Sequence, residues 1–225
     1  MDKVIGIIAA EEKEMKAIKD IMLNTEEMDI YNLKIITGEI NSKKYILARS
    51  GIGKVNAART TQILIDNFNI DHIINVGSAG GLNDNLNIGD IIIGEKLVEH
   101  DFDLTAFGRK KGDIPDAGRF FESDINLIKK TEDISVENTN IIKGVIASGD
   151  IFCTNIEMKE KIRKKFRADC VEMEGAAIAH VCSLNKTPFI VIRSISDIPN
   201  NKNEIDFNKF LDFASKKCAE FISKI

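Results

Sequence analysis

Strand-length apolar runs alternate with helix-period segments from one end of this chain to the other, and that alternation leaves few folds open. Val4-Ile5-Gly6-Ile7-Ile8, His72 to Val76 and Phe189-Ile190-Val191-Ile192 are near-continuous, the pattern of strands buried on both faces. Residues 30–40 and 43–50 read as a hairpin turning at Asn41-Ser42, and 89–98, 142–148, 168–172 and 188–195 as further strands. Helical patterns cover 11–23 (with Met15, Ile18, Met22 and Leu23 apolar), 54–68, 124–132, 156–166, 175–185 and 207–223. Residues 100–121 lack a clean period and read as a long functional loop. The order predicts an α/β fold of three layers: a mixed, largely parallel central sheet flanked by helices. No internal repeat or composition shift marks a boundary, so residues 1–225 are expected to form a single catalytic domain.

Several function classes are excluded at this level. The net charge of −4 gives no face for nucleic acid, and the basic cluster Arg163-Lys164-Lys165-Phe166-Arg167 ends a helical pattern. No window approaches the ~18 apolar residues of a membrane span. Met1-Asp2-Lys3 leads directly into a strand, with no signal peptide read there. Cys153, Cys170, Cys182 and Cys218 are scattered, which fits reduced thiols in a cytoplasmic protein better than disulfides or zinc. No metal and no cofactor are expected.

Carboxylates gather where the apolar runs end. Glu11, Glu12 and Glu14 follow the first strand, Glu172 and Glu174 flank Met173 at a strand-to-helix junction, and Asp197 closes Arg193-Ser194-Ile195-Ser196-Asp197. Open α/β sheets bind ligands at the carboxyl ends of their strands. Each cluster also has a plain reading as helix-start charge or a turn, but three at three strand ends suggest one site handling protons and sugar hydroxyls. Gly77-Ser78-Ala79-Gly80-Gly81 permits close backbone approach to a ligand without matching a dinucleotide fingerprint. Ser50-Gly51-Ile52-Gly53-Lys54 resembles the end of a P-loop but has Ala48 for the first glycine and Val55 for the magnesium hydroxyl, so an NTPase is rejected. His100-Asp101 suggests a catalytic pair, and His180 a packed histidine. Phe152 and Phe207, just beyond strand or loop ends, suit an aromatic sandwich for a flat base.

Together these segments, with Ala147-Ser148-Gly149-Asp150 and Thr105-Ala106-Phe107-Gly108, closely resemble the bacterial 5′-methylthioadenosine/S-adenosylhomocysteine nucleosidases of the nucleoside phosphorylase superfamily. The resemblance runs in order along nearly the whole chain. It implies hydrolysis of an adenine N-glycosidic bond, releasing adenine and a 5-thio-substituted ribose. It implies that Glu14 activates water and Asp197 protonates adenine at N7. It implies that Glu174 binds the ribose hydroxyls, Met173 packs on the ribose and Phe152 stacks on the base. The Cys153 backbone would read the adenine edge, Phe207 would close the site, and Ser78, Ser196 and Arg193 would line or support it. Ile52 and Glu172 are placed among the substrate-binding residues on the same ground. Phe107 and Pro115 would reach a neighbouring subunit's thioalkyl pocket, which makes a homodimer the expected unit.

Chemistry then separates close alternatives. Phosphorylase members carry an Arg in the loop after the first strand and another before the Gly-Ser turn; here those places hold Glu11-Glu12-Lys13-Glu14 and Asn75. Three carboxylates repel phosphate, so water is the expected nucleophile, with Arg49 the one nearby cation left open. Many members have Met where this chain has Glu11, which leaves the 5′-substituent open: aminodeoxyfutalosine and 5′-deoxyadenosine remain alternatives. A purine nucleoside phosphorylase and a silent nucleoside-binding protein rank lower, because Glu14, Glu174 and Asp197 are all present.

Overall fold

The computed structural model describes residues 3–200 and 203–225. In chain order the elements are β1 (Val4–Ala9), α1 (Glu12–Lys19), β2 (Leu23–Ile30), β3 (Leu33–Ile40), β4 (Lys43–Arg49), α2 (Lys54–Asn67), β5 (Ile70–Gly81) and β6 (Ile91–Glu99). They continue with β7 (Phe121–Glu122), α3 (Ile125–Lys129), β8 (Ile141–Ser148), α4 (Ile156–Phe166), β9 (Cys170–Glu172), α5 (Gly175–Asn185), β10 (Phe189–Asp197) and α6 (Asn203–Ile222).

The strands form one mixed sheet in the order β10-β6-β8-β9-β5-β1-β4-β3-β2, with β7 paired to β6. β10 also pairs with β5, so five strands close into a ring while β1, β4, β3 and β2 extend as an open wing. β1–β4, β1–β5, β5–β10, β6–β8 and β8–β9 pair parallel, whereas β2–β3, β3–β4, β5–β9, β6–β7 and β6–β10 pair antiparallel, so the sheet is evenly mixed rather than largely parallel as expected.

The continuous apolar runs follow from burial on both faces. Successive residues on a strand point to opposite sides. Thus Ile7, Ile36, Leu47, Ile74 and Ile192 pack with Met15 and Ile18 of α1 and Phe221 and Ile222 of α6. Their neighbours Ile8, Ile35, Ile46, Ile73 and Val191 pack with Ala57 and Leu64 of α2 and Ala176 to Ala179 of α5. The expected three-layer α/β arrangement is therefore present, with α1 and α6 on one face and α2 and α5 on the other. Ile162 and Phe166 of α4 close a third cluster with Leu82, Val98 and Val171.

Three local expectations are corrected. The first helix ends at Lys19, and Leu23, expected on its apolar face, instead begins β2 and is 69% exposed. β2 pairs antiparallel with β3 through a turn in which Tyr31 and Asn32 both have positive φ, the same mirror-image turn as Asn41-Ser42. The last helix starts four residues earlier than its apolar period, at Asn203. The loop 100–121 holds a short 3-10 turn, Thr105–Phe107, and little other regular structure.

Candidate active site

A cavity of about 300 Å³ opens at the carboxyl ends of β1, β5, β9 and β10. Its wall brings together Glu11, Glu14, Ile52, Ser78, Phe152, Cys153, Glu172, Met173, Glu174, Ser196, Asp197 and Phe207. Of the residues expected in the site, Arg193 lies buried behind this wall, while Phe107 and Pro115 lie outside it. Phe107 is 82% exposed on the long loop.

At one pole stands Glu14, buried on the first turn of α1. Its Oε2 accepts the amide hydrogens of Ala10 (3.1 Å) and Glu11 (3.0 Å), satisfying donors that a helix start leaves free. Its Oε1 accepts from the Ser78 amide (2.8 Å) and hydroxyl (2.9 Å). The Gly77-Ser78 segment of β5 must pass close: a Cβ on Gly77 would sit 2.9 Å from Glu14 Oε1 and 3.0 Å from an Arg193 guanidinium nitrogen. Glycine is needed there for space. Burial, and the neighbouring Glu14 charge, raise the Glu11 carboxyl above its ordinary value.

In the middle, Glu172 and Glu174 bracket the end of β9. Both Glu172 oxygens are taken by protein donors: the Ser148 hydroxyl, the Arg193 guanidinium, and the amides of Glu174 (3.2 Å) and Gly175 (2.7 Å). Glu172 was expected to bind substrate; it reaches the wall, but its hydrogen-bonding capacity goes into fixing the start of α5. Arg193 also donates to Asn75 Oδ1 (2.6 Å) and the Ile192 carbonyl (3.4 Å). Burial opposes its charge, but the carboxylates of Glu172, Glu174 and Glu14 outweigh that and hold the guanidinium protonated. Glu174 is left with one short bond, from the Gly53 amide (2.8 Å), and stands 4.0 Å from Arg193. Burial, then the charge of Glu172, push its carboxyl well up.

At the far pole Asp197 ends β10. The Ser196 hydroxyl donates to its Oδ1 (2.8 Å) and the Asn203 amide to its Oδ2 (2.6 Å). Burial raises its carboxyl above the ordinary range, and these two donors partly oppose the rise. Beside it, Phe152 and Phe207 meet edge to face at 5.7 Å between centroids. Burial and the Asp197 charge push the Cys153 thiol up to about 11, so this cysteine offers its backbone rather than a thiolate.

The P-loop-like segment is occupied by the protein itself. The Gly53 amide goes to Glu174, the Lys54 amide to Asp150 (2.8 Å), and the Lys54 ammonium to Glu99 (2.9 Å) and Asp101 (2.7 Å). The suggested His100-Asp101 pair is not formed: Asp101 serves Lys54 and the Asp150 amide, and the buried His100 Nε2 has no hydrogen-bond partner among the described residues. His180 is the packed histidine expected, stacked on Phe121 at 4.7 Å. Arg49 is drawn to Glu12 at 2.8 Å, away from the cavity. Among the described residues the cavity wall includes no Lys or Arg. No grouping of His, Cys, Asp or Glu among them could hold a metal ion, and none of their helices is long and apolar enough to cross a membrane.

Sequence reasoning missed Asn203 and Ser148 as parts of the site. Asn203 acts through Asp197 and the Cys153 carbonyl, and Ser148 through Glu172, links that no local pattern announces.

This fold and site define a class, the phosphorylase superfamily, whose family model matches residues 4–225. A 5′-methylthioadenosine/S-adenosylhomocysteine nucleosidase of Staphylococcus haemolyticus is 42% identical over 224 residues, covering 99% of this chain and 98% of the relative. The crystal structure of the Neisseria meningitidis nucleosidase of that name, in complex with methylthio-immucillin-A, has a TM-score of 0.95 at 38% identity, covering 99% of this chain and 98% of its own. The native futalosine hydrolase of Helicobacter pylori has a TM-score of 0.94 at 34% identity, with 99% and 96% covered. The chain belongs to the phosphorylase superfamily and, within it, to the family of 5′-methylthioadenosine/S-adenosylhomocysteine nucleosidases.

Proposed function

We propose that this protein hydrolyses the N-glycosidic bond of 5′-methylthioadenosine and S-adenosylhomocysteine, giving adenine and a 5-thio-substituted ribose. One observation carries the reading: a single cavity holds Glu14 at one pole and Asp197 at the other, with a carboxyl-lined middle and, among the described residues, no Lys or Arg on its wall. In the mechanism, the C1′–N9 bond breaks and its electrons pass to the base. Adenine is a poor leaving anion, and the Asp197 proton delivered to N7 lets it depart neutral. Burial is what allows Asp197 to hold that proton at a pH where a free Asp has lost it. Positive charge grows on the ribose as in other glycosidic cleavages, and the neighbouring carboxylates stabilise it. Water forms the new bond at C1′ and gives its proton to Glu14. Two carboxyls with opposed proton demands are the acid and base pattern expected for such a site.

The binding roles proposed are those the resemblance implies, and the residues concerned line one cavity. Phe152 stacks on the base, the Cys153 backbone reads its edge and Phe207 closes over it. Met173 packs on the ribose, Glu174 takes its hydroxyls, and Ser78, Ile52 and Ser196 complete the wall. Phosphate as nucleophile is disfavoured because Arg193 is committed to Glu172 and Arg49 to Glu12. The exposed Phe107 and Pro115 suit a homodimer in which each subunit completes its partner's thioalkyl pocket. A cytoplasmic setting fits the four buried, unpaired cysteines, and methionine salvage fits the substrates. Residues 1–225 act as one catalytic domain in this reading.

Glu14→Gln separates this reading from a silent nucleoside binder. The expected result is a loss of about 10²-fold or more in kcat for adenine release, with nucleoside affinity by calorimetry changed only slightly. Normal turnover in this variant would remove Glu14 as the base. A second reading, aminodeoxyfutalosine or 5′-deoxyadenosine as substrate, is favoured by the position of Glu11 on the wall, and kcat/KM across the four nucleosides ranks them.

A further inference from the structure

The acid at the far pole is held by a residue outside the motifs so far considered. Asn203 opens α6, is fully buried, and sits six residues beyond Asp197. Its Nδ2 donates twice: to Asp197 Oδ2 at 2.6 Å and to the Cys153 backbone carbonyl at 2.9 Å. Among the described residues its buried Oδ1 has no hydrogen-bond partner, an arrangement that is costly by itself. Flipping the amide would not relieve it, because the oxygen would then face the Cys153 carbonyl. The amide is thus oriented by the backbone, and its second hydrogen is aimed at Asp197. With Ser196 on Oδ1 and Asn203 on Oδ2, both carboxyl oxygens are pinned from the protein side, and each keeps a further lone pair for the cavity.

We propose that Asn203 is a positioning residue for the general acid, locking the Asp197 carboxyl to the backbone segment that faces the base edge. The inference rests on the nucleosidase reading. Because a hydrogen-bond donor favours the ionised carboxyl, Asn203 also keeps the acid strong: removing it raises the Asp197 carboxyl further. Among the described residues, the other titratable groups facing Asp197 are Asp206 on α6 and the Cys153 thiol after β8. Next to its carboxyl, β5 contributes Gly80, which carries no charge.

The test is the pH profile of kcat/KM for adenine release from 5′-methylthioadenosine, whose alkaline limb reports the acid in the free enzyme. In Asn203→Ala the expected plateau is lower by about 10-fold, and the alkaline limb moves up by about one pH unit. Asn203→Asp is nearly isosteric and sets a second carboxyl against Asp197, so its limb moves up further. If Asn203→Ala does not fold, Asn203→Asp decides. A limb at the wild-type position in the folded variants overturns the proposal, whether activity is kept or lost with a lowered Tm, since a purely structural brace would behave so. Absence of adenine release by the wild-type protein would instead overturn the nucleosidase reading, and this proposal with it.

Discussion

Asp197→Asn is expected to reduce adenine release by about 10²–10⁴-fold, the range that general acid catalysis contributes. The fold is expected to survive, because the amide keeps the shape of the carboxyl among Ser196, Asn203 and Gly80. The sign of the stability effect follows from linkage. Burial raises the Asp197 carboxyl, so the folded state binds its proton more tightly than the unfolded chain does. That contribution is full below the unfolded pKa of about 3.9 and is lost as pH rises through the folded value. At higher pH the wild-type protein carries a buried charge that the Asn variant lacks. An amide hydrogen facing the Asn203 donor offsets part of this relief, so Tm near pH 8 should match the wild type within a few degrees. Loss of activity with a retained melting transition identifies a chemical role; retained adenine release would remove Asp197 as the acid.

Glu172→Gln is expected to act through the fold. Arg193 is 1% exposed, and Glu172 is its main counter-charge. Taking one partner from a buried pair leaves an uncompensated charge, which costs about 3–5 kcal/mol. For a chain of this size that corresponds to a Tm lowered by roughly 10 °C. The same carboxylate receives the amides of Glu174 and Gly175, so α5 loses the anchor that presents Glu174 to the cavity. Activity should therefore fall with stability, in contrast to Asp197→Asn. Thermal melts of the two variants side by side test the division; a Glu172→Gln protein with wild-type Tm would show that Glu174, 4.0 Å from Arg193, has taken over the pairing.

Much of this was legible in the chain because the signals are local. Runs such as Ile7-Ile8, Ile73-Ile74 and Val191-Ile192 feed two opposite cores, and continuous hydrophobicity is what burial on both faces demands. Carboxylates that follow such runs fall at strand ends by construction, so Glu14, Glu174 and Asp197 could be placed at one rim before any coordinates. β2 was not legible: Leu23–Ile30 is an edge strand, exposed along its length, and Glu27 bridges Lys19 and Lys34 there instead of packing. Nothing in its pattern distinguishes it from the end of a helix. The fate of Glu172 was not legible either. Whether a carboxylate binds a ligand or anchors a buried guanidinium depends on Arg193, Ser148 and Asn75 arriving from three other strands. Asn203 escaped because its amide is oriented by the Cys153 carbonyl, which comes from far earlier in the chain.

The most direct test of the account is adenine release from 5′-methylthioadenosine by the purified protein, with and without inorganic phosphate, with the sugar product identified. The expected result is free methylthioribose, formed at the same rate in both conditions, because among the described residues no Lys or Arg on the cavity wall is available to hold a phosphate. A sugar 1-phosphate, formed only when phosphate is present, would contradict it.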